Sequence, residues 1–220
     1  MASYSGIYVH HPDHHAVARL LEILERRKRL RKLKVSERAY EGFESDELSG
    51  FIYRAYYINP PWQDWIHVVG SISLNESLLS DDMNSVADYL SRELSCQVLA
   101  LSWQTTVGQE CMRLIDHGKT RRRIAYAEGG EILFIDEGEQ LDFEASLQKK
   151  KEAGLLQEDL DEIESGPENL KKVYLLPDCR EFAEGAGLLM DEYSPEGMQI
   201  IIESKLKFWP FRCPYDRGNT

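Results

Sequence analysis

Six consecutive residues near the start of the chain carry the side chains best suited to binding a metal ion. Neutral imidazoles and carboxylates are usual ligands of zinc, nickel or copper. A histidine at the end of a strand can converge with others on the first turn of the following helix. The pattern raises the hypothesis of a metal-dependent hydrolase whose ligands are His10, His11, Asp13, His14 and His15. The chain has no HExxH motif to complete such a site, so we favour a solvated polar loop here and expect no cofactor.

A second group of residues could bind single-stranded nucleic acid. Residues 26–34 contain seven basic side chains, and Phe51, Tyr53 and Tyr57 would share one face of a strand on which bases can stack. Against this, the formal net charge of −12 opposes approach to a polyanion. Residues 50–54 also lack the glycine–aromatic pattern of an RNA-recognition strand. We therefore do not expect nucleic acid to be the partner.

Motifs for nucleophilic or phosphate chemistry are absent from the sequence. There is no GxSxG elbow, no P-loop and no GxGxxG after a strand, so we assign no catalytic residue. No secretory signal precedes residue 10, and no apolar run reaches 18 residues. We predict a cytoplasmic protein that does not enter a membrane and keeps its thiols reduced. The cysteines, none in CxxC spacing, are Cys96, Cys111, Cys179 and Cys213.

Charge is divided unevenly along the chain. Residues 18–38 contain nine basic and three acidic side chains, whereas residues 128–168 contain fourteen acidic and three basic ones. A carboxylate-rich surface without a catalytic motif can engage a basic protein, because complementary charge speeds association. The sequence therefore predicts a non-enzymatic protein-binding domain, similar in charge and size alone to the inhibitors and immunity proteins that neutralise basic nuclease toxins. Its predicted partner-facing residues are Asp136, Glu137, Glu139, Asp142 and Glu144.

Hydrophobic periodicity indicates an α+β fold. The order of predicted elements to residue 127 is β-α-β-β-α-β followed by further strands, which is compatible with a ferredoxin-like start and a meander extension. We predict a two-layer, mostly antiparallel sheet with helices packed on one face. The predicted strands are 6–10, 51–58, 65–74, 97–105, 108–115, 120–127 and 132–135, with helices from Asp13 to about 30 and from 80 to 95, a polar turn-rich segment at 36–50 and a hairpin turn at 116–119.

The pattern becomes more polar beyond residue 139. We predict a core domain over residues 1–140 and a C-terminal α/β extension over residues 141–220 that packs on the same core. The elements predicted in this extension are a helix over 144–164 broken at Gly154, a strand over 173–176, a helix over 178–186 and a strand over 198–202.

Overall fold

Nine strands form one antiparallel sheet. The computed structural model describes residues 3–27, 31–40, 53–70, 81–104, 108–127, 135–157, 161, 163, 166, 170–190 and 195–206. Within these residues the strand order is β2-β9-β3-β4-β1-β5-β6-β7-β8. The strands are β1 (Ser3–His10), β2 (Arg31–Ala39), β3 (Tyr53–Ile58), β4 (Trp65–Gly70), β5 (Gln97–Gln104), β6 (Gln109–Asp116), β7 (Lys119–Ala127), β8 (Ile135–Gly138) and β9 (Met198–Leu206).

Helices cover both faces of this sheet. One apolar cluster joins the stripes of α1 and α2 to Ile7 and Val9 of β1, and a second joins Tyr8 on the opposite face to α4 and α5. The expectation of helices on one face only was wrong, because β5 to β7 carry apolar side chains on both faces and each face must be covered. The helices are α1 (His14–Arg27), α2 (Asp81–Leu94), α3 (Asp142–Gly154), α4 (Leu170–Leu175) and α5 (Cys179–Gly185).

Several local predictions are confirmed. The apolar residues Val17 and Leu21 of the first predicted helix lie on α1 and are buried. The turn between β6 and β7 places His117 at φ 50° and Gly118 at φ 74°, the left-handed pair that a two-residue hairpin requires.

No described helix combines the length and the hydrophobicity needed to cross a membrane.

Two element assignments were wrong. Residues 31–39 follow the predicted end of the first helix at about residue 30 and include the start of the predicted turn-rich segment 36–50. They form strand β2, which pairs with β9 from Arg31↔Leu206 to Ala39↔Met198. An edge strand with exposed side chains shows little alternation, and its partner lies far along the chain, so no local signal announces it. Residues 173–176, expected as a strand, belong mostly to α4, because Val173 and Leu176 at helical spacing both face the core. Residues 41–52 and 71–74 lie outside the described part.

The C-terminal part of the chain contributes to the same sheet. Strand β9 lies between β2 and β3 and pairs with both. Helix α5 packs on β5 and β6, where Phe182 is fully buried. This packing supplies the layer on the second face and brings α4 close to the acidic strand β8.

Candidate functional site

The five predicted partner-facing carboxylates divide into two groups. Glu137, Glu139 and Asp142 are exposed, at the end of β8, in the following loop and at the start of α3. Glu137 lies 3.7 Å from the Arg123 guanidinium, yet its side chain keeps 63% of its accessible surface. The other two face inward: Asp136 is largely covered and Glu144 is fully buried. A buried carboxylate cannot contact a partner, so the exposed group alone forms what we call the acidic surface: Glu137, Glu139 and Asp142.

The two inward carboxylates hold Arg122 of β7. The Arg122 side chain is 4% exposed, and its Nε donates to both oxygens of Glu144, at 2.8 and 3.1 Å. Its Nη1 donates to Asp136 and, at 3.2 Å, to the carbonyl oxygen of Glu137. The Lys172 ammonium of α4 lies 2.9 Å from the second oxygen of Asp136. One buried guanidinium therefore joins β7, β8 and α3.

The charges of this cluster are compensated in place. Burial alone would raise the pKa of Asp136, but hydrogen bonds from Lys172 and Arg122 outweigh it and lower that pKa. Asp136 is therefore ionised at neutral pH. Charge-assisted hydrogen bonds of this kind are among the stronger ones in proteins and fix side-chain geometry.

The loop between β8 and α3 is held by its backbone as well. Glu144 Oε1 accepts the Leu141 N–H at 2.9 Å, while the Glu144 N–H donates to the Leu141 carbonyl at the same distance. Gly138 has φ +90°, and a Cβ there would lie 2.1 Å from the carbonyl oxygen of Arg121. The chain thus leaves β8 by a route that only glycine fits. The loop presents the acidic surface in a fixed conformation.

The histidine-rich segment lies at the start of α1, where Asp13 caps the helix. Asp13 Oδ1 accepts the His15 N–H at 2.9 Å, and His11 Nδ1 accepts the Asp13 N–H at 3.1 Å. Burial would raise the pKa of Asp13, but backbone N–H groups of Ala16 and His15 and the nearby Arg19 lower it. The Asp13 carboxylate and one imidazole nitrogen of His11 are therefore used in organising the helix terminus.

The remaining histidines of this segment have different neighbours. The His10 ring packs against Trp65, with centroids 4.9 Å apart. His14 Nε2 donates to the Met198 carbonyl of β9 at 3.1 Å, and burial together with the adjacent His15 lowers the pKa of His14. All five proposed ligands belong to the described residues, and no group of three or more His, Cys, Asp or Glu side chains in that part of the chain is arranged to hold a metal ion. Within these residues the geometry assembles no ligand set, and the hydrolase hypothesis stays a prediction.

The proposed nucleic-acid face is divided by the fold. The basic residues 26–34 belong partly to α1 and partly to β2. Tyr57 is 6% exposed and packs with Ala55 and Val69, so it offers no ring face for a base. Phe51 and the side chain of Tyr53 lie outside the described residues. Tyr57, the aromatic residue of this group whose side chain the structure describes, therefore belongs to the core.

A polar chain, buried except at Arg38, links β2, β9, the residue after β3, and β4, and no sequence pattern predicts it. Arg38 Nε donates to Gln199 Oε1 at 3.0 Å, and Gln199 Nε2 donates to Asn59 Oδ1 at 2.7 Å. Asn59 Nδ2 donates to His67 Nδ1 at 3.3 Å. Gln199 and Asn59 are each 1% exposed. Partners 140 and 161 residues apart leave no local signal, and the one available clue was a histidine inside an apolar strand.

This polar chain has the properties of a structural network. Burial lowers the pKa of His67 to about 3, so the imidazole is neutral near pH 7. Its ring stacks on Tyr8 with centroids 4.4 Å apart and an interplanar angle of 8°. Buried polar groups that satisfy each other fix one arrangement of strands. We infer that the network specifies the position of β9 between β2 and β3.

A third polar cluster lies under the start of α5. Glu110 Oε2 accepts the Cys179 N–H at 2.6 Å, and Tyr126 is hydrogen-bonded to the same carboxylate. The Cys179 thiol is buried, and burial followed by the charge of Glu110 raises its pKa. Burial also raises the pKa of Cys111 to about 11. Neither thiol is a nucleophile at neutral pH, because only the thiolate attacks.

Replacing Glu110 by glutamine is expected to increase stability at neutral pH. Burial, despite the Cys179 N–H bond, raises the pKa of Glu110 above its ordinary 4.5. The folded state thus binds this proton more tightly than the unfolded state, and stability falls as pH rises through the window above 4.5. Glutamine keeps the acceptor and carries no charge. The difference in urea midpoint between variant and wild type should grow in favour of the variant from pH 4 to 7, and a constant difference would contradict the assignment.

The described side chains thus include one exposed, fixed acidic surface and three polar clusters with structural roles. Comparison with models of known protein families, with curated proteins and with solved structures finds no match.

Proposed function

We propose that this protein is a non-enzymatic binding domain whose acidic surface engages a basic protein partner, in the manner of an inhibitor or immunity protein. The observation that carries the proposal is the fixed presentation of Glu137, Glu139 and Asp142 by the buried Arg122 cluster. A surface that is already ordered loses little conformational entropy on binding. Clustered carboxylates also raise the rate of encounter with a basic partner.

The titratable groups support a binding role over catalysis. An efficient general acid or base has a pKa near the working pH. In the part of the chain that the structure describes, the largest pKa shifts move groups away from neutrality: burial raises the pKa of Tyr126 and of Cys179, lowers that of His67 to about 3, and raises those of Cys96 and Cys111 to about 11. The fixed negative charge of the acidic surface needs no titration to act.

We also infer that the central part of the sheet is a ferredoxin-like unit. Its support is the neighbouring order β3-β4-β1-β5, with α1 following β1 and α2 joining β4 to β5 on the same face. In this interpretation β2 and β9 extend one side and β6 to β8 extend the other as a meander. A cytoplasmic location is part of the same proposal and is supported by the free thiols of Cys96, Cys111 and Cys179.

Reversing charge on the acidic surface tests the proposal. The full-length chain, immobilised, is used to capture a partner from its native host, and the captured protein is purified for binding kinetics. The double variant Glu137→Lys/Glu139→Lys should lower the association rate constant about tenfold at low salt, because it removes electrostatic steering. Asp142 is left unchanged, since a lysine in the first turn of α3 would oppose the helix dipole.

The matched control is Glu152→Lys/Glu196→Lys, which makes the same change in net charge at two other exposed positions. Compared at about 0.1 M salt, it should leave binding within about twofold of wild type, because the Debye length is then about 10 Å and more distant charges are largely screened. Equal losses in the two double variants would show only an effect of net charge. Unchanged binding by Glu137→Lys/Glu139→Lys, or a captured partner without basic character, would refute the proposal.

A further inference from the structure

Strand β2 ends the described sheet on one side, and its sequence is basic. The strand contains four basic residues, Arg31, Lys32, Lys34 and Arg38, and one acidic residue, Glu37. β2 pairs with β9 alone in the described part of the chain, so its outer edge has no strand neighbour there. The Lys34 side chain is 72% exposed although its ammonium lies 3.3 Å from Glu203 of β9. Exposed ion pairs of this kind are weak, so Lys34 can also serve an incoming carboxylate.

The opposite end of the same sheet carries the acidic surface. β8 is the last described strand on that side, and Glu137, Glu139 and Asp142 are exposed at its end. Nine strands spaced about 4.8 Å apart give a path of roughly 38 Å along the sheet between the two ends. The basic strand and the acidic strand β8 are not neighbours in the described sheet. Two molecules can bring them together.

We propose that the basic edge of β2 docks on the acidic surface of a second copy of this chain. The proposal rests on the acidic surface of the proposed function. It adds a second copy of this chain, besides the basic partner, as a molecule that binds this surface. Charge complementarity supports the choice, since Lys34 of the edge and the acidic surface are exposed on the same protein and opposite in sign. A basic edge repels another basic edge, which disfavours symmetric β2–β2 pairing and leaves the head-to-tail contact. Such a heterologous contact repeats from copy to copy.

Moderate salt favours detection of this contact. The net charge of −12 makes whole molecules repel each other at long range. At about 0.1 M salt the Debye length is about 10 Å, so this repulsion is largely screened while charges in direct contact still attract. We expect concentration-dependent association with a Kd on the order of 10–100 µM, as for small transient interfaces. Raising the salt to about 0.5 M should reverse it.

Sedimentation velocity of the full-length chain and of two charge-reversal variants tests the contact. Lys32→Glu/Lys34→Glu makes the edge acidic, and Glu137→Lys/Glu139→Lys makes the acidic surface basic. Each variant alone should stay monomeric, with association weakened tenfold or more. An equimolar mixture of the two should associate again, because every edge then meets a surface of opposite charge. The matched control Lys119→Glu/Lys171→Glu should associate as wild type does.

The outcomes separate this contact from the proposed function. A wild-type chain that stays monomeric at about 0.1 M salt and several times the expected Kd refutes self-association. Self-association is also refuted if the equimolar mixture of the two variants fails to associate while both variants retain the wild-type melting temperature. The Lys32→Glu/Lys34→Glu variant keeps its acidic surface, so it should still bind the captured basic partner. Loss of partner binding in that variant would contradict the proposed function, whereas loss of self-association alone supports the contact inferred here.

Discussion

Replacing Arg122 by methionine is expected to lower the free energy of unfolding by about 3–5 kcal/mol. Methionine fills a similar length of side chain but removes the guanidinium, which is 4% exposed between Glu144 and Asp136. Glu144, with 0% exposure, then remains buried without a counter-charge. An uncompensated buried charge costs several times more than a lost surface ion pair. Urea unfolding at pH 7 measures the change.

The neighbouring residue provides the control for Arg122. Arg121 is 50% exposed, and its guanidinium lies 4.0 Å from Asp116. Arg121→Met should change stability by less than about 0.5 kcal/mol, because exposed pairs contribute little. The double variant Arg122→Met/Glu144→Leu should recover part of the loss, since it removes both buried charges. Equal effects of Arg121→Met and Arg122→Met would show that the buried cluster has no special role.

Replacing Gly138 by alanine is expected to lower the free energy of unfolding by about 2–4 kcal/mol. Two causes combine at this position. Its φ of +90° is unfavourable for any residue with a Cβ, and that Cβ would lie 2.1 Å from the Arg121 carbonyl oxygen. The backbone of β8 must then move away from β7, which also displaces Glu137 and Glu139. Urea unfolding measures the stability, and binding of the captured partner measures the displacement.

Gly187 separates the two causes. It has the same φ of +90° but nothing within 4 Å of the position of a Cβ. Gly187→Ala should therefore cost about 1–2 kcal/mol, the conformational part alone. The difference in unfolding free energy between Gly138→Ala and Gly187→Ala then measures the cost of bringing a Cβ close to the Arg121 carbonyl oxygen. If Gly187→Ala were as damaging as Gly138→Ala and also reduced partner binding, the loop after β8 would not be what holds the acidic surface.

Glu144, which is buried, and Asp136, which is largely covered, show how far the sequence could predict the site. The count of acidic residues between 128 and 168 correctly located a strongly acidic region, and Glu137, Glu139 and Asp142 are exposed in it. Glu144 and Asp136 were assigned to the same surface, because a carboxylate in an acidic segment gives no sign of its own burial. Their partner, Arg122, lies 22 residues before Glu144, too far for a local pattern to pair the two.

The amino-acid sequence by itself determined the elements with local signals: the amphipathic helices α1 and α2, the hairpin at His117–Gly118, the strands with β-prone residues, and the division of charge. These depend on spacing within about 15 residues. Only the tertiary structure decided which carboxylates are exposed, that helices cover both faces, and that β9 enters between β2 and β3. Those outcomes depend on contacts between residues far apart in sequence, such as Gln199 with Asn59, whose free energy is gained only after the chain has folded back on itself.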